Sequence, residues 1–423
     1  MKNALHLGKR ERNSSHWGPT RLGSIDALVA PGEGTVAYLG ESALDFGLGS
    51  RLFEERRKQL GDFLRQIEGT VGPLAGGPDP RMSRLQPVVA NEVARLRERL
   101  ETLPDGQGQP WAALAELERL TQLLASETLA VVGGISMRVR GLDSEAGELP
   151  EALLAAVAGS MALGYEFITV PSGSEFIDVM SDVIRVRYPG AGVWDLPVVL
   201  HEFGHFLVGH LPRSAEPSVS AIIDRERSAS PRRGYFADEL WADTFAAYVG
   251  GPAYAFSAMA RFDVVGAAED APPSHPSAMK RVAAIRLTLG HSQTAWQRRR
   301  RAAGSLEVPI ASAEDLWRNR LRAAGVATEP DATDRTYAEE LAGQFIGILD
   351  RDWPRIRYDD TRRAAAIRQG LDDGQPELPR DAGLIDVLNG GWWARRNAEA
   401  EFGDADVITE QVSHMCREIM ADE

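Results

Sequence analysis

The chain has 423 residues, 43% of them hydrophobic and 26% charged, with a formal net charge of -14; that length allows two or three domains with proper cores. The acidic balance, with no long basic run against it, excludes general nucleic-acid or anionic-membrane binding. The single cysteine, Cys416, excludes an internal disulfide and a cysteine-based metal cluster, and fits a reducing cytoplasm.

Residues 1–20 are polar and read as weakly ordered. From Leu22 to Leu48 the chain is glycine-rich, with short apolar runs at Asp26 to Ala30 and Thr35 to Leu39 that suit strands or buried loops. Gly32 and Gly34 do not continue into a dinucleotide-binding fingerprint. Helical periodicity then runs through Arg51 to Glu68, Met82 to Leu103 and Trp111 to Ser126, divided by turns rich in glycine and proline. A further helix is predicted over Pro150 to Leu163, then two strands, Tyr165 to Val170 and Asp182 to Tyr188. Leu211 to Gly234, rich in Pro, Ser and Arg, reads as a mobile segment able to cover a cleft. Tyr235 to Val249 is strongly helical, and residues 301–423 read as mostly helical, with Trp392 and Trp393 as packing residues.

No apolar stretch of signal-peptide length follows the charged N-terminus. Ala152 to Gly164 and Phe245 to Ala260, the second interrupted by Gly250, Gly251 and Pro252, are too short or too broken to cross a bilayer. No membrane span and a cytoplasmic location are therefore expected. Abundant arginine and alanine beside scarce lysine point to a GC-rich bacterial source.

The string His201-Glu202-Phe203-Gly204-His205 carries the chemistry. Residues four apart share a helix face, so His201 and His205 can aim ring nitrogens at one metal ion. Glu202, rotated about a hundred degrees from His201, is not a natural third ligand but suits a general base acting on water. A catalytic zinc site needs a third protein ligand. His210 has the wrong spacing, and Cys416 lies more than two hundred residues beyond the motif. The best candidate is Glu239, within Asp238-Glu239-Leu240-Trp241-Ala242-Asp243, with Asp238 as the competing assignment. Asp243, one turn further on, can accept a hydrogen bond from the far nitrogen of a ligand histidine, His201 by preference.

The combination of HEFGH, ELWAD followed by FAAY, and the stretch Ser274 to Val282 resembles the gluzincin metallopeptidases. It is most similar to the group containing the CAAX prenyl endopeptidases and the bacterial membrane heat-shock protease, although their transmembrane helices have no counterpart. The helix around Glu239 is also similar to the soluble ImmA/IrrE-type peptidases. The resemblance covers about residues 165 to 290. It implies that His201, His205 and Glu239 bind one zinc ion per chain, that Glu202 is the general base, and that Asp243 orients a ligand. It also implies that His275 and Arg281 lie near the metal, where a donor would stabilise the oxyanion. Tyr235 and Tyr248 are further donor candidates.

The fold expected is α+β and predominantly helical. It has an N-terminal region over residues 1–149, a zincin-like metallopeptidase core with a small sheet beside the active-site helix over 150–300, and a helical C-terminal region over 301–423. The function expected is peptide-bond hydrolysis on a peptide or protein substrate, with the helical flanks open to a regulatory partner. The rival expectations are a non-catalytic zinc-binding interaction or sensor protein, and a zinc hydrolase of a non-peptide amide or ester.

Overall fold

The computed structural model describes residues 46–71, 85–103, 109–140, 148–163, 168–172, 176–178, 183–187, 192–211, 217–264, 267, 275–299, 307–326, 332–400 and 405–422. The expectations for residues 1–20 and for the apolar runs before 46 lie outside them. Contacts group Leu39–Glu423 as one unit.

Three long helices come first: α1 (Phe46–Val71), α2 (Leu85–Glu101) and α3 (Gln109–Val139). They pack on one another through apolar residues at helical spacing, such as Phe53, Leu60, Leu64, Ile67 and Val71 of α1. Pro110–Met137 is long and apolar enough to cross a membrane, and 44% of its apolar window is buried against the rest of the protein. Helix α4 (Glu148–Ser160) follows, then three short strands: β1 (Ile168–Ser172), β2 (Phe176–Asp178) and β3 (Val183–Arg187). Strand β3 pairs in parallel with β1 and antiparallel with β2.

The remaining described elements are helices. After a 3-10 turn at Leu196–Val198 come α5 (Val199–Val208), α6 (Val219–Ala229), α7 (Pro231–Gly250) and α8 (Pro252–Arg261). Then follow α9 (Ala278–Arg299), α10 (Glu307–Ala323), α11 (Ala332–Asp352), a second 3-10 turn at Pro354–Ile356, α12 (Arg362–Asp372), α13 (Leu384–Ala400) and α14 (Ala405–Asp422). The expectation of an α+β protein with a zincin-like core is corrected by this element order. Helices make up nearly all of the described structure, and three strands of three to five residues form one small sheet among them. The physical reason is that apolar positions on both sides of the motif recur at helical spacing and bury helix against helix.

The segment from Leu211 to Gly234 is corrected as well, apart from 212–216, which lie outside the described residues. Its proline and serine residues are helix punctuation rather than loop composition. Ser218 caps α6, its Oγ accepting from the Ala221 N–H at 3.2 Å, and Pro231 opens α7 where its missing donor costs nothing. Val219, Ile222 and Ile223 of α6 are buried, and the helix packs along α7 rather than forming a mobile cover.

Helix α7 is the hub. From Leu240 to Gly250 every residue is buried, and α5, α6, α9 and α11 all pack on it. Trp241, Phe245 and Val249 are buried there, each large apolar side chain removed from water contributing roughly 1.5–3 kcal/mol. The helix ends at Gly251, whose φ of +62° and whose contact with the Tyr358 ring, 2.3 Å from where a Cβ would stand, admit only glycine. Asn389 secures the turn: its Oδ1 accepts from the Ala253 N–H at 2.8 Å and its Nδ2 donates to the Gly250 carbonyl at 2.9 Å. That turn sends α8 back across the core. Trp392 packs there as expected, stacked on Phe256 and edge-on to Trp194, its Nε1 donating to Ser257 Oγ at 3.2 Å.

Candidate metal centre

Helices α5 and α7 cross where Gly204 meets Ala242. A Cβ on Gly204 would stand 2.8 Å from the Ala242 Cα, so the two backbones approach as closely as a glycine permits. The contact is locked by Trp241 Nε1, which donates to the Gly204 carbonyl at 2.7 Å. Because His201 and His205 sit one turn apart on α5, and Glu239 sits beside Trp241 on α7, this crossing brings all three together.

His201, His205 and Glu239 form a group whose ligand atoms lie within 4.8 Å of one another, and they could hold a metal ion. The two Nε2 atoms are 3.1 Å apart. His201 Nε2 lies 3.5 Å from Glu239 Oε2, and His205 Nε2 lies 3.5 Å from Glu239 Oε1. Metal bonds of about 2.0–2.1 Å at tetrahedral angles require donors roughly 3.3 Å apart, and these separations bracket that value.

The far side of each imidazole is also occupied. His201 Nδ1 donates to Asp243 Oδ1 at 3.1 Å, as the spacing on α7 predicts. His205 Nδ1 donates to Asp238 Oδ1 at 3.2 Å. Asp238, weighed in the sequence as a rival ligand, stands instead behind the second histidine. With each Nδ1 turned to its own aspartate, the two Nε2 atoms and the Glu239 carboxylate converge on one point. Glu239 Oε2 is buried there without a hydrogen-bond partner. A proton or a metal cation shared among these groups would satisfy the convergence, and nitrogen-plus-carboxylate donors suit a borderline metal such as zinc.

The charges follow from the same contacts. Burial would lower both imidazoles, but hydrogen bonds to Asp243 and Glu239 raise His201 above the usual histidine range. Burial is likewise outweighed at His205, which the charge and hydrogen bond of Asp238 raise well above that range. Burial pushes Glu239 upward, yet the Arg281 charge and the histidine hydrogen bonds hold it well below the usual carboxylate range. Asp243 behaves in the same way, burial being overcome by the Arg281 charge and hydrogen bond.

Arg281, on α9, lies at the centre, but its donors are committed. Nε donates to Asp243 Oδ2 at 2.7 Å and Nη2 to Oδ1 at 2.8 Å, while Nη1 stands 3.5 Å from Glu239 Oε2. Its guanidinium thus binds Asp243 and lies beside Glu239 and the His201 ring, with Nη2 3.4 Å from His201 Nε2. His275 is placed differently: its side chain is half-exposed, with Nε2 3.5 Å from Glu239 Oε1. Glu202 is partly buried on α5 and stands outside the ligand group.

The other sequence candidates are accounted for. His210 folds onto Phe206 and its Nδ1 donates to the Phe206 carbonyl at 2.6 Å. Cys416 is buried in α14, where desolvation pushes its thiol up to about 12. Tyr248 donates to Asp350 at 2.7 Å, and the Tyr235 hydroxyl is buried without a partner. One residue was missed. Tyr254, on α8, donates to Asp243 Oδ1 at 2.5 Å and stands 3.3 Å from His201 Nδ1. The available signal was a tyrosine inside the apolar segment after the Gly250-Gly251-Pro252 turn, since a buried phenol needs an acceptor.

Comparison of the chain with protein-family models, with curated proteins and with solved structures gives no match.

Proposed function

We propose that His201, His205 and Glu239 hold one zinc ion and that the chain is a zinc-dependent hydrolase of peptide bonds. The observation that carries this reading is the convergence of the two imidazole Nε2 atoms and the Glu239 carboxylate, whose Oε2 is buried without a hydrogen bond, each imidazole backed by its own aspartate. When bound there, zinc would lower the pKa of water and polarise a carbonyl. Glu202, adjacent to the first ligand in sequence, takes a proton from the attacking water and returns it to the departing amine. His275, half-exposed with Nε2 3.5 Å from Glu239 Oε1, is the proposed donor to the carbonyl oxygen. Arg281 holds Asp243 and Glu239 anionic. The proposed setting is the cytoplasm, with a peptide or protein substrate.

The motif-level resemblance to gluzincin peptidases supports the ligand roles and not the fold. One observation favours the non-catalytic rival. Among the described residues, two clefts of about 530 and 390 Å³ lie elsewhere, one along α9, α10 and α11 and one between α4, residues 355–360 and the start of α13, and neither is lined by the ligands.

The deciding experiment combines zinc quantitation with digestion of a peptide library. Zinc-loaded wild type is expected to cleave. Glu202→Gln is expected to bind zinc at the same stoichiometry while cleaving at least about a hundredfold more slowly, the range general-base catalysis supplies. Equal cleavage by the variant would remove the mechanism, and zinc binding without cleavage by the wild type would favour the rival.

A pH dependence accompanies the site. Because the Asp238 carboxylate holds His205 well above the usual histidine range in the metal-free protein, this ring retains a proton near neutrality that a metal must displace. Zinc binding is therefore expected to release about one proton or more per chain at neutral pH, and to tighten as the pH rises. Calorimetry in buffers of differing ionisation enthalpy measures this, and an absence of proton release would contradict it. Without metal, the imidazole–carboxylate pairing stabilises the fold fully below the ordinary histidine pKa and is lost as the pH rises through the elevated folded values.

A further inference from the structure

We infer that Tyr254 is a positioning residue for the metal centre: its hydroxyl fixes the Asp243 carboxylate, which in turn sets the orientation and tautomer of the His201 ring. The inference rests on the proposed metal-binding role of His201, and it concerns a residue on a helix separate from the ligands.

The two ligand histidines are held in unequal ways. Behind His205 stands Asp238, one-third exposed, at 3.2 Å. Behind His201 stands Asp243, wholly buried, whose Oδ1 receives His201 Nδ1 at 3.1 Å, Arg281 Nη2 at 2.8 Å and Tyr254 Oη at 2.5 Å. Tyr254 is itself buried, and its ring lies nearly parallel to the His201 imidazole, 9° between planes and 6.4 Å between centroids. A carboxylate whose acceptor positions are filled from fixed directions cannot rotate about its own axis without breaking several bonds. His201 is thereby held with Nδ1 toward Asp243 and Nε2 toward His205 and Glu239, the side on which a metal would sit. Tyr254 reaches this point because the Gly251 turn, open only to glycine, directs α8 back over α7.

The test compares Tyr254→Phe with Tyr248→Phe. Each removes one tyrosine hydroxyl that donates to an aspartate, at 2.5 and 2.7 Å respectively, but Tyr248 bonds Asp350, outside the ligand group. Removing an outer partner of a ligand typically weakens metal binding 10–100-fold. Y254F is therefore expected to raise the zinc Kd about tenfold and to shift the visible absorption of the cobalt-substituted protein, whereas Y248F leaves both as in the wild type. A readout that needs no variant is exchange of the imidazole Nδ1 protons in the zinc-loaded protein, slow at His201 and faster at His205. Unchanged zinc affinity in Y254F, an equal loss in Y248F, or equal exchange at the two histidines would overturn the inference while leaving the metal centre standing. Failure of the wild type to bind zinc would overturn both.

Discussion

Replacing Arg281 with methionine is expected to destabilise the metal-free protein by about 3–5 kcal/mol near neutral pH, the cost of stranding one member of a buried ion pair. Asp243 has no exposed surface and the Arg281 side chain is 14% exposed, so solvent cannot replace the lost partner. Methionine retains apolar bulk against the Phe262 ring, over which the guanidinium now sits, so the loss reports the charge and its hydrogen bonds more than packing. The pH dependence identifies the cause. In the wild type, burial raises the Asp243 pKa but Arg281 brings it below the ordinary value. The pair therefore stabilises above the unfolded aspartate pKa of about 3.9, and that stability is lost as the pH falls toward the depressed folded value. In the variant burial would prevail, the folded pKa would rise, and acid would neutralise the stranded carboxylate. The gap between the proteins should shrink as the pH is lowered from about 7 to about 4.5, read by urea denaturation. A loss below about 1 kcal/mol, or one independent of pH, would show that Asp243 does not depend on Arg281.

What the sequence made legible was local. His201 and His205 share a helix face through a spacing of four residues, as do Glu239 and Asp243, and helix geometry alone places such pairs together. The match of Asp243 to His201 followed because one turn of α7 separates it from Glu239. Asp238 was harder to read, since adjacent acidic residues compete for the ligand role. Only the angle at which α5 crosses α7 puts Asp238 behind His205 and Glu239 between the rings. Tyr254 and Arg281 arrive from α8 and α9, and their meeting at Asp243 depends on the Gly251 turn and on helix packing, which no local period encodes. The class of fold was misjudged for a related reason. Runs such as Tyr165 to Val170 and Asp182 to Tyr188 carry a real strand signal, and β1 and β3 lie there, but such local runs say nothing about how much of the packing is helix on helix. The proline and serine residues between α5 and α7 were read by composition, whereas their positions, Ser218 before α6 and Pro231 opening α7, are those of helix starts.

Gly204 shows how a position left open by the motif can govern its chemistry. In HExxH the two central residues are unspecified, yet here the second is the contact between α5 and α7. A Cβ would stand 2.8 Å from the Ala242 Cα and 3.3 Å from both its Cβ and its carbonyl oxygen. The nearest atom is backbone, so no side-chain rotation relieves the clash and the helices must separate. Gly204→Val is expected to cost about 1–3 kcal/mol through overpacking, and to strain the bond from Trp241 Nε1 to the Gly204 carbonyl. Its larger effect falls on the metal. The histidines ride on α5 and Glu239 on α7, so separation pulls the carboxylate from the imidazoles, whose nearest approach to it is now 3.5 Å. Structural zinc binding of about 10–16 kcal/mol shared over four ligands assigns roughly 2.5–4 kcal/mol to each. Loss of the glutamate bond alone should therefore weaken zinc binding by about seventyfold to nearly a thousandfold. Gly290→Val is the control, because a Cβ at Gly290 in α9 meets no atom within 4 Å and its substitution should leave zinc affinity unchanged. Zinc titration of both variants decides the matter: wild-type affinity in Gly204→Val would mean that the helix crossing does not set the ligand geometry.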